Sequence, residues 1–183
     1  RPRRFVHNSP YTIKNKTFTV YGKISHFYSS VGNFSDVKLY SPKLKELVLY
    51  GNELTSLTLP SSDALEILYL NNNPLTSLQI GDVPNLEKLN VKGTELTSLD
   101  ISVYPKLKEL RVSYAPLSSL DASKNPLLKE VSIARRNGKG LIGTPLEDFI
   151  ESLPAGKGII YLSEDQKTPT VVNKLLGKDW DIR

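Results

Sequence analysis

Residues 44–54 read LKELVLYGNEL, and the same pattern of leucines returns at residues 65–75 as LEILYLNNNPL. Further copies follow at 86–96 (LEKLNVKGTEL), at 107–117 (LKELRVSYAPL) and, in weaker form, from residue 128. Each copy starts 21 residues after the one before it. A single unit cannot bury its own apolar face, so the units must stack around a continuous core. The chain is therefore a repeat protein with an extended surface, and such surfaces favour binding.

Apolar and polar residues alternate in the middle of each unit. Leu47 and Leu49 are predicted to point inward from a short strand, while Glu46, Val48 and Tyr50 point outward. Because equivalent positions align when units stack, at least five such strands are expected to lie side by side in parallel. The return legs, such as residues 55–59, are short and contain β-branched residues, which favours extended or tight-turn backbone over an α-helix.

An asparagine follows the strand in the first two units. Asn52 and Asn73 stand where the chain must turn away, and a side-chain amide there can bond backbone groups that the strand leaves unpaired. Thr94 and Ala115 take the same position in the next units. Alanine cannot make these bonds, so the turn at Ala115 is predicted to need water or the side chain of a neighbouring residue.

The repeats occupy residues 41–137, with an N-terminal cap over residues 1–40 and a C-terminal cap over residues 138–183. Caps are expected at both ends because an uncovered last repeat would expose apolar surface and strand edges. In the N-terminal cap, residues 11–21 alternate as a hairpin, and residues 34–39 echo residues 54–59 as a degenerate first repeat.

The C-terminal cap is predicted to mix helices and strands. Thr144-Pro145-Leu146-Glu147 has the pattern of a capping box, which predicts a short helix ending near Leu153. Residues 158–162 are expected to form a buried strand. A second helix is predicted from Thr168 to Gly177, and residues 180–182, which include the tryptophan of the chain, form a final strand.

The motif Leu-x-x-Leu-x-Leu-x-x-Asn-x-Leu resembles the leucine-rich-repeat consensus. The short unit, its Thr-Ser-Leu-x-Ile second half and its Pro-x-Leu opening resemble the internalin-like surface proteins of bacteria over residues 42–134. The resemblance implies a leucine-rich-repeat solenoid with a parallel β-sheet on its concave face. The convex face is expected to be mostly irregular or built of short strands, and the C-terminal cap to be α/β. The resemblance also implies adhesion to host cells or to other bacteria.

The outward strand positions are the predicted ligand face. Tyrosine offers rigid amphipathic area and arginine a planar donor fork, two residue types that dominate binding energy when a partner buries them. Tyrosine also suits strands and charges favour solubility, so each residue alone has a structural explanation. The patch as a whole favours binding. The candidate ligand-binding residues are Tyr50, Tyr69, Asn90, Lys92, Arg111 and Tyr114.

Composition indicates one globular domain, because 39% of the 183 residues are apolar and 23% are charged. The chain has no cysteine, so disulfides are excluded, which favours a bacterial over an animal extracellular protein. It has no methionine either, so residue 1 is expected to be a processed end or an internal point of a precursor. No apolar run approaches the roughly 20 residues of a membrane span.

The net charge of +5 permits weak attraction to anionic surfaces, with basic clusters at residues 1–4 and 135–139. No nucleic-acid-binding motif accompanies these clusters, so no nucleic acid partner is predicted. His7 and His26 are the two histidines, and no metal-ligand spacing or cysteine nucleophile occurs. The sequence therefore predicts no enzyme, no cofactor and no metal.

Three hypotheses for function follow. The first is a secreted or outer-surface bacterial module, with a role in virulence, that binds a protein or glycan on host or bacterial surfaces. The second is a structural module that self-associates in a surface layer or biofilm. The third is the recognition domain of a larger secreted enzyme, although the Leu-Pro-x-Leu-Pro opening of such effectors is lacking.

Overall fold

A computed structural model describes residues 16–183. The His7 side chain, the arginines of residues 1–4 and most of the predicted hairpin over residues 11–21 lie outside these residues. The strands are β1 (Lys16–Tyr21), β2 (His26–Tyr28), β3 (Phe34–Tyr40), β4 (Glu46–Val48), β5 (Ser56–Leu59), β6 (Ile67–Tyr69), β7 (Ser77–Ile80), β8 (Lys88–Asn90), β9 (Glu109–Arg111), β10 (Glu130–Ser132), β11 (Gly158–Tyr161) and β12 (Trp180–Ile182). The helices are α1 (Thr144–Ser152) and α2 (Pro169–Gly177), and a 3-10 turn covers Glu164–Gln166.

Eight strands form one large sheet in the order β2-β4-β6-β8-β9-β10-β11-β12. Every neighbouring pair in this sheet runs parallel. Leu47 lies opposite Leu68, which lies opposite Leu89, so each strand stands one repeat from the next. The prediction of at least five parallel strands is confirmed. The sheet also includes β2, a strand that precedes the first perfect repeat.

The alternation along each strand places the leucines in the core. Leu47, Leu68 and Leu89 at the strand centres are fully buried, as are Leu49 and Leu70 two residues further along the chain. Backbone hydrogen bonds continue beyond the strands, with the Leu49 N–H donating to the Tyr69 carbonyl and the Leu70 N–H to the Asn90 carbonyl, both at 2.8 Å. Each unit thus buries its apolar side chains while its backbone polar groups pair with the next unit.

Asn73 shows how the turn after the strand is stabilised. Its buried amide donates to the carbonyls of Leu49 and Leu70, both at 2.8 Å, and its Oδ1 accepts from the Leu54 N–H at 3.2 Å. The amide therefore joins two consecutive units, as the sequence predicted for this position. In the next unit the Thr94 hydroxyl instead donates a hydrogen bond to the Val91 carbonyl, at 2.8 Å.

The opposite side of the stack has less regular structure. β1 pairs in parallel with β3, and β5 with β7. The return legs of the later units, at residues 97–101 and 118–122, form no strand. This arrangement agrees with the expected short-strand or irregular surface.

The C-terminal segment extends the large sheet, but here a helix precedes each strand. After α1, β11 pairs with β10, and after α2, β12 pairs with β11. Thr168 caps α2 by accepting a hydrogen bond from the Val171 N–H at 3.3 Å. The capping box predicted at Thr144 is wrong. Gly143 is the N-cap of α1 and Thr144 is already its first residue, so the Thr144 hydroxyl is not placed to cap.

Trp180 is buried at the far end of the stack. Its indole lies so close to Gly158 that a Cβ there would stand 2.6 Å from the ring, so Gly158 provides the room. The indole N–H donates to the Pro154 carbonyl at 2.8 Å. The large apolar ring is thereby placed inside the core with its polar group satisfied.

Leu89→Ala is predicted to lower the free energy of unfolding by roughly 2–5 kcal/mol, because Leu89 is fully buried between two units and its removal leaves a cavity. Chemical denaturation measures the change. The control is Glu53→Ala, whose exposed side chain forms no ion pair with residues 16–183, and which should cost less than about 0.5 kcal/mol. Equal losses for the two variants would contradict the strand register.

Asn73→Ala is predicted to cost about 1–3 kcal/mol, since three backbone groups lose their buried partner. Asn71→Ala is the matched control, because the Asn71 side chain makes no hydrogen bond with other described residues. Thermal unfolding of both variants checks the prediction. A control that melts as low as Asn73→Ala would show that the buried amide does not join the units.

Candidate functional site

The outward side chains of the large sheet form two parallel rows, which together we name the sheet face. Their order follows directly from the strand register, and neighbours stand roughly 4.8 Å apart. The first row is His26, Glu46, Ile67, Lys88, Glu109, Glu130, Ile159 and Asp181. The second row is Tyr28, Val48, Tyr69, Asn90, Arg111, Ser132 and Tyr161.

Three predicted site residues are consecutive in the second row. Tyr69, Asn90 and Arg111 come from β6, β8 and β9 and lie directly opposite one another. All three are half-buried, so each keeps surface for a partner while its neighbours restrict it. Burial raises the pKa of the Tyr69 hydroxyl above its ordinary value, and the negative charge of Glu109 raises it further. Tyr69 is therefore a neutral hydrogen-bonding group at physiological pH.

Arg111 is held by carboxylates of the first row. Its Nε lies 2.5 Å from Glu109 and its Nη2 lies 2.8 Å from Glu130. Lys88 approaches the other oxygen of Glu109 at 3.5 Å. Burial alone lowers the pKa of Arg111, but Glu109 and Glu130 outweigh that effect, so the pKa lies above its ordinary value. The donor fork that the sequence predicted is thus already engaged within the molecule and fixed in direction.

Glu109 is a member of this network that the sequence prediction did not select. Its side chain is nearly buried, although it lies in an outward row. The available signal was its position two residues before Arg111, because residues two apart on a strand share one face. Like the arginine, it belongs to the central part of the sheet face.

The other predicted residues lie just after the strands. Tyr50 is exposed beside the first units. Lys92 and Tyr114 come together, with the Lys92 ammonium 5.0 Å from the centre of the Tyr114 ring. The six predicted residues therefore divide into the row of Tyr69, Asn90 and Arg111, the pair of Lys92 and Tyr114, and Tyr50 by itself.

A further cluster lies at the start of the sheet. The Tyr28 hydroxyl donates to Glu46, and the Ser25 hydroxyl contacts His26 Nδ1 at 2.8 Å. His26 Nε2 lies 3.9 Å from Glu46, which is too long for the hydrogen bond that orients a catalytic imidazole. The sequence missed this cluster because β2 precedes the recognisable repeats.

Neither a metal cluster nor a membrane-spanning helix occurs within residues 16–183. In that part of the chain, no group of three or more histidine, aspartate or glutamate side chains is placed to hold a metal ion. Nor does any helix in the same residues have the length and apolar character needed to cross a membrane.

Residues 42–82 match the family described as Leucine Rich repeats (2 copies). The match covers the first two perfect units, and together with the parallel sheet it supports a leucine-rich-repeat protein. Repeats of this kind are binding modules, which generally mediate protein–protein binding. Comparison with curated proteins gives no match.

Glu109→Gln is predicted to lower the pKa of Tyr69, because the charge of Glu109 disfavours the tyrosinate. The shift is partial, since burial is the larger cause of the raised pKa. Titration of ¹³C-labelled tyrosine by NMR measures it, and Glu53→Gln provides a control with the same change in net charge. An unchanged Tyr69 pKa would contradict the proximity of the two side chains.

Proposed function

We propose that this leucine-rich-repeat protein is a secreted or surface-attached bacterial module that binds a protein partner through its sheet face. Its role is adhesion to host cells or to other bacteria. The internalin-like motifs of residues 42–134 support the bacterial surface assignment. The family match supports a protein as the partner.

The continuous second row of the sheet face is the observation that carries the proposal. The parallel strands from β2 to β11 present it in one register, so its seven residues extend over about 29 Å at the usual strand spacing. A row of this length matches the dimensions of a standard protein–protein interface. An extended segment or a strand edge of a partner can therefore contact several units at once.

The centre of the row has the chemistry of an interface hot spot. Tyr69 supplies aromatic area and a neutral hydroxyl, Asn90 supplies an amide, and Arg111 supplies a guanidinium. Because Glu109 and Glu130 already order the guanidinium, less side-chain entropy is lost when a partner binds it. The surrounding charges exclude partners of mismatched charge.

The test replaces Tyr69 and Arg111 together by alanine and measures binding of purified protein to candidate host and bacterial cells. Binding should weaken by about 2 kcal/mol or more, if both side chains lie at the centre of the interface. The matched control is Tyr40→Ala with Lys124→Ala, which removes one exposed tyrosine and one exposed cation away from the sheet face. Circular dichroism shows that both proteins remain folded.

The outcomes separate the proposal from its alternatives. If both double variants lose the same binding free energy, the partner does not bind at the sheet face. A wild-type protein that binds no cell but self-associates with rising concentration would favour the structural, self-assembling role. Binding to purified glycans with no protein requirement would replace the protein partner by a carbohydrate.

A further inference from the structure

Tyr114 has a backbone conformation that a bulky side chain rarely adopts. Its φ is 68°, in the left-handed region, and the equivalent residues of the earlier units are Val31, Gly51, Asn72 and Gly93, with φ of 53°, 64°, 57° and 66°. Glycine and asparagine tolerate this region, whereas an aromatic residue there is strained. Such strain is typical of functional positions, where the surrounding structure maintains it.

The backbone ladder imposes the conformation. The Tyr114 N–H donates to the Ala134 carbonyl at 3.1 Å, just as the Gly93 N–H donates to the Ser113 carbonyl at 2.9 Å. The same backbone hydrogen bond joins neighbouring units at this position in both cases. The left-handed turn is therefore a feature of the repeat and is not caused by the tyrosine side chain. A tyrosine at this position costs free energy that glycine would not.

Two cations lie close to the Tyr114 ring. The Lys92 ammonium lies 5.0 Å and the Arg136 guanidinium 5.9 Å from its centre, both within the range of a cation–π attraction. Within residues 16–183, neither cation forms an ion pair with a carboxylate. The adjacent Lys139 and Arg135 differ, because they pair with Glu95 and Asp165.

A tight hairpin holds Arg136 in place. Arg136 and Lys139 exchange backbone hydrogen bonds of 3.2 and 3.0 Å across Asn137 and Gly138, which both have positive φ as in a type I′ turn. The Lys139 ammonium anchors the hairpin to Glu95, with contacts of 2.5 and 2.7 Å. The backbone beneath Arg136 is therefore ordered before any ligand arrives.

We propose that Lys92, Tyr114 and Arg136 form a subsite for a carboxylate from an acidic side chain of the protein partner. This proposal deepens the proposed function and rests on it for the identity of the partner as a protein. The guanidinium matches a carboxylate in shape, the ammonium adds a second positive charge, and the Tyr114 ring, which both cations approach, offers an apolar contact beside them. Both cations can accept a partner without breaking an internal ion pair.

The probe is a fluorescent peptide of ten glutamates, with ten glutamines as the uncharged comparison, and fluorescence anisotropy measures binding. Lys92→Gln with Arg136→Gln should weaken glutamate-peptide binding about tenfold, because both charge-assisted contacts are lost. Lys124→Gln with Lys129→Gln removes the same charge elsewhere and should leave binding within about twofold. Tyr114→Asn, which introduces the residue type that Asn72 supplies in an earlier unit, should weaken binding without lowering the melting temperature.

If the control variant Lys124→Gln with Lys129→Gln weakens glutamate-peptide binding as much as Lys92→Gln with Arg136→Gln does, the subsite is overturned. The binding then reflects only the net charge of the protein. Equal binding of the glutamine peptide would overturn the role of the carboxylate. Binding of sulfated heparin oligosaccharides but not of the glutamate peptide, lost on Lys92→Gln with Arg136→Gln, would replace the acidic protein by a sulfated glycan. These titrations need no cell binding, so they decide the subsite even if the adhesion assay fails.

Discussion

The backbone hydrogen-bond ladder between successive units is the interaction on which the rest of this structure depends. It links each strand to the next in parallel and continues past the strands into the turn, as at Leu49 with Tyr69 and Leu70 with Asn90. The ladder satisfies backbone polar groups and brings the inward leucines of neighbouring units into contact. Because it repeats at one spacing, the 21-residue period of the sequence becomes a continuous row of side chains in space.

Because of this ladder, different parts of the chain serve stability and recognition. Its hydrogen bonds use backbone atoms, and the core uses inward residues, so the outward positions can vary without breaking the stack. The sheet face uses this freedom to place Tyr69, Asn90 and Arg111 in consecutive strands. Glu109 and Glu130 of the first row form ion pairs with Arg111 of the second row. The charges of one row therefore fix the direction of a side chain in the other.

The ladder also sets limits at its turns and ends. In several units the third residue after the strand enters the left-handed region, which Gly51 does at little cost and Tyr114 does under strain. At the far end the leucine pattern stops, yet β11 and β12 extend the sheet while α1 and α2 pack on one another. Trp180 packs against Gly158 there and fills the core in place of another repeat.

The sequence by itself determined the repeats, the parallel strands, the inward leucines and the alignment of Tyr69, Asn90 and Arg111, because periods of two and of 21 residues are visible along the chain. It also located the second helix and the last strand. It did not show β2 as a strand of the large sheet, and it misplaced the cap of α1, since Gly143 rather than Thr144 precedes the helix. Only the tertiary structure decided that Arg111 is paired and that Arg136 reaches the ring of Tyr114, because these contacts join residues from different units whose side-chain directions depend on the packed stack.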